Sequence, residues 1–217
     1  MRRGTKVFDK NDKLTYKSIR DEIAMRCREG RLFRMMPTLP NLPVKRTILL
    51  SRDIRDALFH LRPEGLDGPR LGQLLRDFDR FIEGGRITIR DGGYRSGPAY
   101  LARLEPPTTE LWEIRSVDPR PGLRVMGRFA EPDVFVALLL LQRKSLGAGD
   151  SQAWRQAECD CKARWRQLFP DHAPHAGKRV CDYVSSGGFL LRPLRSARRD
   201  SAGGPFLFPC VDEGEIS

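Results

Sequence analysis

No stretch of this sequence stays apolar for long. The longest uninterrupted run, Val134–Leu141, is about strand length and far short of the roughly 20 residues that a membrane-spanning helix needs. The opening residues, MRRGTKVFDKNDKLTYK, carry basic side chains with no apolar segment behind them, so no secretory leader is expected. Cysteine is scarce: five residues, an odd number without regular spacing, do not make a disulfide framework. These absences predict a cytoplasmic chain with reduced thiols and no membrane partner. No internal repeat is visible. The glycines of GGRITIRDGG lack the strand–GxGxxG–helix setting of a nucleotide loop.

Positive charge is what the chain has in excess. It carries 39 Lys and Arg against 28 Asp and Glu, a formal net charge of +11. Such a surplus favours polyanionic partners, nucleic acid among them. Thirty-one of the 39 cations are arginine, the side chain that grips phosphate bidentately. A G+C-rich genome also inflates arginine, so composition alone does not decide. At 217 residues and 40% hydrophobic, the chain can form one domain with a sizeable core, plus flanking segments.

Three regions are expected. Residues 1–46 read as an N-terminal arm: a helix over Tyr16–Glu29 that ends at Gly30, then MMPTLPNLPVKR, whose Pro37, Pro40 and Pro43 suggest an extended linker. Residues 47–185 read as the folded domain. Residues 186–217 lack periodicity and read as a disordered tail.

Inside the domain, TILL is a strand candidate and Ser51 stands where the N-cap of RDIRDALFHL would be. The next helix is the clearest: Leu71, Leu74, Leu75, Phe78, Phe81 and Ile82 follow the i, i+3, i+4, i+7 pattern, with Gly84-Gly85 as the stop. RITIR alternates, and AYLARLE is a strand or an irregular approach. ELWEIRSV puts Trp112 and Ile114 on one face, Glu113 and Arg115 on the other. LRVMGRF turns Leu123, Val125 and Phe129 inward and Arg124, Met126 and Arg128 outward. VFVALLLL does not alternate, so it reads as a strand buried on both faces. A last helix runs from about Gln152 to Phe169. Trp154, Ala157, Cys161, Trp165 and Leu168 form its apolar side; Arg155, Lys162 and Arg166 form its basic side. The sum is an α+β layer: a small antiparallel meander with helices packed on one face, and arginines on the face left open.

Cutting RNA requires a base for the 2′-hydroxyl and fixed positive charge for the phosphate. Arg115, Arg124 and Arg128 offer the charge, with Arg143 and Lys144 at the rim and Lys162 and Arg166 on the last helix. Glu113 or Glu110 is the candidate proton acceptor. The competing reading is a solvated face with cross-strand ion pairs such as Glu113 to Arg124. LFPDHAPHAGKRVCDY reads as a surface loop; folded back over the open sheet face, it would bring His172, His175 or Tyr183 to the arginines. Cys159, Cys161, His172, His175 and Cys181 invite a zinc reading. Residues i and i+2 of a helix point about 200° apart, however, so no metal or other cofactor is expected. Trp112, Trp154 and Trp165 fall in core phase rather than on a base-stacking face.

The order helix pair, "WEIR", "LRV-GRF", "DVFVALL" and "QRKS" resembles the RelE/ParE/HigB toxin superfamily of bacterial toxin–antitoxin systems and its phage-borne relatives. The likeness covers about residues 47–146. It implies a RelE-like domain. It also implies either ribosome-dependent, metal-independent mRNA cleavage or ParE-like gyrase inhibition, with an antitoxin as neutralising partner. Arg124 then matches the functional strand arginine, Arg115 the arginine of the preceding strand, and Arg143 and Lys144 the basic pair after the last strand. Where many cleaving members carry His or Tyr near the C-terminal end, this chain offers Gln142 and Ser145 and, further on, Tyr183. The alternative is a degenerate relative that binds nucleic acid or protein without cutting.

Overall fold

The computed structural model describes residues 5–8, 14–61, 66–91, 99–148, 151–190 and 208–209. The chain is α+β. A two-stranded ribbon, β1 (Thr5–Phe8) with β2 (Leu14–Lys17), precedes α1 (Ile19–Arg28). Then come β3 (Leu32–Arg34), β4 (Thr47–Ser51), α2 (Arg52–Asp56) with a π turn over Ala57–Leu61, and α3 (Gly68–Ile82). The strands β5 (Ile87–Asp91), β6 (Leu101–Arg103), β7 (Trp112–Ser116), β8 (Leu123–Glu131) and β9 (Val134–Gln142) follow, then α4 (Gln152–Leu168), β10 (Gly188–Leu190) and β11 (Phe208–Pro209).

The sheet has nine strands in the order β11-β10-β5-β6-β7-β8-β9-β4-β3. β7, β8 and β9 form the expected antiparallel meander. It is the centre of a mixed sheet rather than the whole of one. β4 lies parallel to β9, with Thr47 opposite Val134. On the other side β5 runs parallel to both β6 and β10.

Local chemistry explains the helices. Asp67 caps α3 by accepting from the Arg70 amide at 3.0 Å, and Gly84 leaves the helix at φ +77°. The predicted stripe of α3 packs on the first sheet face, with Leu74, Phe78, Phe81 and Ile82 fully buried against Ile48, Ile114, Val125, Phe129 and Phe135. Ser151 caps α4 through the Trp154 amide at 3.1 Å, and Ser18 and Asp21 form a capping box at the start of α1.

Two expectations change here. Helices were expected on one face only, yet α4 lies on the second. Its Trp154, Ala157, Cys161, Trp165 and Leu168 join Met126, Val136, Leu138 and Leu139 in a second core, against which Ile19, Ile23 and Cys27 of α1 also pack. The physical reason lies in β9: Phe135 and Ala137 face the first core while Val136 and Leu138 face the second, and such a strand needs cover on both sides. The segment read as an arm is also joined to the sheet. β3 pairs antiparallel with β4, Phe33 opposite Leu50. At the far end, β10 extends the sheet beyond residue 186, and β11 pairs with it. The remainder of the expected disordered tail, residues 191–207 and 210–217, lies outside the described residues.

Candidate functional site

The register of β7 and β8 sets Arg115 directly opposite Arg124. Two like charges in that position repel unless something stands between them. Glu113, two residues before Arg115 and on the same face, supplies the counter-charge. Its Oε1 accepts from Arg115 Nε at 2.6 Å and lies 2.5 Å from the other guanidinium nitrogen. Its Oε2 stands 3.3 Å from Arg124 Nε. Glu113 is fully buried, and Oε2 makes no hydrogen bond. The expected Glu113–Arg124 ion pair is therefore present, but in a buried cluster rather than on a solvated face.

α4 does not cover the whole second face. Beside its first turns lies a cleft of about 280 Å³ whose walls include Arg90, Arg115, Arg124 and Arg143, with Trp154 and Glu158 from α4. Arg103 also reaches it, but its charge is met by Glu110 at 2.6 Å and Asp91 at 3.5 Å. Arg143 donates to the Gly147 carbonyl at 2.6 Å and has no carboxylate partner among the described residues. Arg115 and Arg124 thus share the carboxylate of Glu113, and the cleft wall sets five arginines against the carboxylates of Glu105, Glu113 and Glu158. The Arg124 guanidinium shows the strain of this crowding. Burial pulls its pKa below the usual arginine value and the charges of Arg115, Arg143 and Arg90 pull the same way, while Glu113 opposes them. The cleft continues into a wider groove of about 480 Å³, which shares Arg124 and Arg143 and adds Arg120 and Lys144. A cavity with excess fixed cations in a partly desolvated wall is built to take an anion.

Of the residues singled out from the sequence, Arg115, Arg124, Glu113, Arg143 and Lys144 come together here. Four others do not. Arg128 shares the face of Arg124 but is buried under α4, donating to the Thr109 carbonyl at 2.6 Å beside the Trp165 ring. It lines neither the cleft nor the groove beside it. Lys162 is 3.9 Å from Glu158, and Arg166 is exposed on the same helix; neither lines the cleft. Glu110, the alternative proton acceptor, is buried and held by Arg103 and the Tyr183 hydroxyl. Arg90 is the residue that sequence patterning passed over. RITIR alternates, which placed Arg90 on a face, but nothing in the sequence told that β5 would stand two strands from β7.

The LFPDHAPHAGKRVCDY segment exposes Pro170, Asp171, Lys178 and Arg179, as a surface loop does, but buries His172 and Tyr183, and it does not line the cleft of the arginines. Tyr183 and Val184 are fully buried in the first core, on the opposite side of the sheet. The Tyr183 hydroxyl donates to Glu110 at 2.5 Å and accepts from the Gly177 amide at 2.6 Å. Burial, and then this bond to Glu110, push its pKa far above the usual phenol value. Cys161 sits in the second core, as its helical phase predicts, and burial pushes its thiol up to about 12. All three tryptophans are buried. Among the described residues no group of His, Cys, Asp and Glu is placed to hold a metal ion, and no helix is long and apolar enough to cross a membrane. No family model matches the chain, and neither curated proteins nor solved structures give a match.

Proposed function

We propose that the protein binds RNA through the Arg115–Arg124–Arg143 cleft and acts there as a toxin-like endoribonuclease of the RelE/HigB kind, working on mRNA at the ribosome and neutralised by an antitoxin. The observation that carries the reading is a cleft wall of five arginines against three glutamates, with Arg115 and Arg124 sharing the one buried carboxylate of Glu113 and Arg143 paired with no carboxylate among the described residues. That surplus of positive charge is aimed at a cavity continuous with an open groove, as a polymer with one phosphate after another requires. The resemblance over residues 47–146 supports the same reading. So does the element order, with β4, α2 and α3 leading to the meander and β4 laid parallel beside β9.

In this reading Arg124 and Arg143 hold the scissile phosphate, and their charge offsets what accumulates on its oxygens in the transition state. Lys144 and Arg120 hold the neighbouring phosphate along the groove. Glu113, a wall residue of the cleft, takes the proton of the attacking 2′-hydroxyl, which requires bound RNA to open the contacts that now seal its Oε2 from solvent. The 2′-oxygen then forms a bond to phosphorus as the bond to the 5′-oxygen breaks, leaving a cyclic phosphate and a 5′-hydroxyl. A proton from water completes the leaving group.

One observation favours the second reading, a binding module without cleavage. Glu113 is fully enclosed, and its Oε1 is held by two nitrogens of Arg115, as suits a counter-ion that fixes arginines. Primer extension on mRNA in a cell-free translation reaction separates the two, using the intact chain and Arg124→Ala with and without ribosomes. Discrete cuts that need ribosomes and vanish in the variant establish the nuclease. Salt-sensitive RNA binding with no cuts leaves the binding module. Absence of RNA binding by the folded chain removes both.

A further inference from the structure

A second cavity of about 280 Å³ opens at the other end of α4, where Arg164, Gln167 and Leu168 meet Arg31, Ser51, Arg52 and Asp53. Its three arginines come from three places: the turn before β3, the first residue of α2, and α4. Each is pinned by a backbone carbonyl. Arg31 donates to Gln167 O at 2.7 Å, Arg52 Nε to Gly30 O at 2.9 Å, and Arg164 to Leu138 O at 3.1 Å. A guanidinium has five N–H donors, so each keeps others for a ligand, in planes already fixed before it arrives.

Two further features fit an anion. The carbonyls that end a helix repel negative charge, but here the last ones are capped: Arg31 holds Gln167 O, and Arg26 Nε donates to Leu168 O at 2.8 Å. Among the described residues Asp53 is the one acidic wall residue, and Arg164 occupies it at 2.6 Å; outside the wall, Glu29 stands 3.8 Å from Arg31. At the wall stands Ser51, 7% exposed, whose Oγ has no hydrogen-bond partner. It occupies the N-cap position of α2 but makes no capping bond. A buried hydroxyl without a partner is uncommon in a folded chain, and a ligand oxygen would satisfy it.

We propose that this cavity is a phosphate site, in which the guanidinium groups of Arg31 and Arg52 and the Ser51 hydroxyl hold the oxygens of one phosphate group. It stands apart from the cleft of the first site and does not depend on the function proposed there. The phosphate is either free in solution or the 5′-terminal group of a nucleic-acid strand.

The test is a titration of the isotope-labelled full chain followed by two-dimensional NMR. The probes are inorganic phosphate, a short oligonucleotide with a 5′-phosphate, and the same strand without it, all at constant ionic strength. Saturable shifts at the Ser51 amide and the Arg31 and Arg52 side chains are expected, weakened about tenfold by Ser51→Ala or Arg52→Gln. The rest of the spectrum reports whether those variants remain folded. Saturation by inorganic phosphate supports a free-phosphate site. Saturation only by the phosphorylated strand supports a strand-end site. No saturable shift at these residues with any probe overturns the proposal, as does an undiminished response in the folded variants.

Discussion

Glu113 carries more of the candidate site than any other single residue. It is the carboxylate that pairs with both Arg115 and Arg124, which the register holds face to face. Replacing it with glutamine leaves two partly buried guanidiniums opposed without their shared counter-charge, and losing the buried partner of an ion cluster costs about 3 kcal/mol. Chemical denaturation of Glu113→Gln should show that loss. Adding Arg115→Met should recover part of it, because the repulsion has gone; equal stability of the wild type and the single variant would mean that the cluster does not hold the sheet. A second buried carboxylate makes a different prediction. Burial raises the pKa of Asp77 above its usual 3.8, against hydrogen bonds from Ser116 and Gln73 that lower it. A carboxyl raised in the folded state binds its proton more tightly there than in the unfolded chain. Its contribution to stability therefore falls as pH rises from just below 3.8 through the folded value. Asp77→Asn should abolish that downward slope, measured by denaturation at a series of acidic pH values.

At the scale of elements, β8 is where the pattern of side chains and the backbone constrain each other most. Its pairing with β9 slips between Met126 and Gly127, and a Cβ on Gly127 would stand 2.1 Å from Val136 O and 2.6 Å from the Phe135 ring. Gly127→Ala must push the two strands apart at the centre of the sheet, an overpacking cost of about 3 kcal/mol. Thermal unfolding should register it, and the proposed RNA binding should weaken too, because Arg124 sits three residues upstream on the same strand. The strand phases themselves were legible. Leu123, Val125 and Phe129 face the first core and Arg124 the other side, as alternation requires. The cover on that other side was legible in principle as well. The unbroken apolar run of β9 and the stripe of α4 each implied an apolar neighbour, and they are each other's neighbour.

For the whole molecule, the decisive fact is that residues before 47 and after 185 contribute to one sheet and its second layer. β3 is the edge strand on β4, and α1 closes the second core. A chain beginning at residue 47 should therefore expose the β4 edge and part of an apolar face, and collect as aggregated or partly unfolded material. Gel filtration and circular dichroism would reveal this; a monomeric, cooperatively melting fragment would show that the arm is dispensable. The sequence by itself determined the central elements, the two helix faces, the meander and the identity of its arginines, because periodicity and capping are local properties of the chain. It could not determine that Arg128 would be buried while Arg124 lines a cleft, for both occupy the same strand phase. That choice belongs to the position of α4, which covers one and stops short of the other. Nor could it place Arg90 beside Arg124, or Arg31, Arg52 and Arg164 around one cavity. Their separation in sequence carries no signal of proximity, and only the order of strands in the sheet and the docking of α1 and α4 on its second face bring them together.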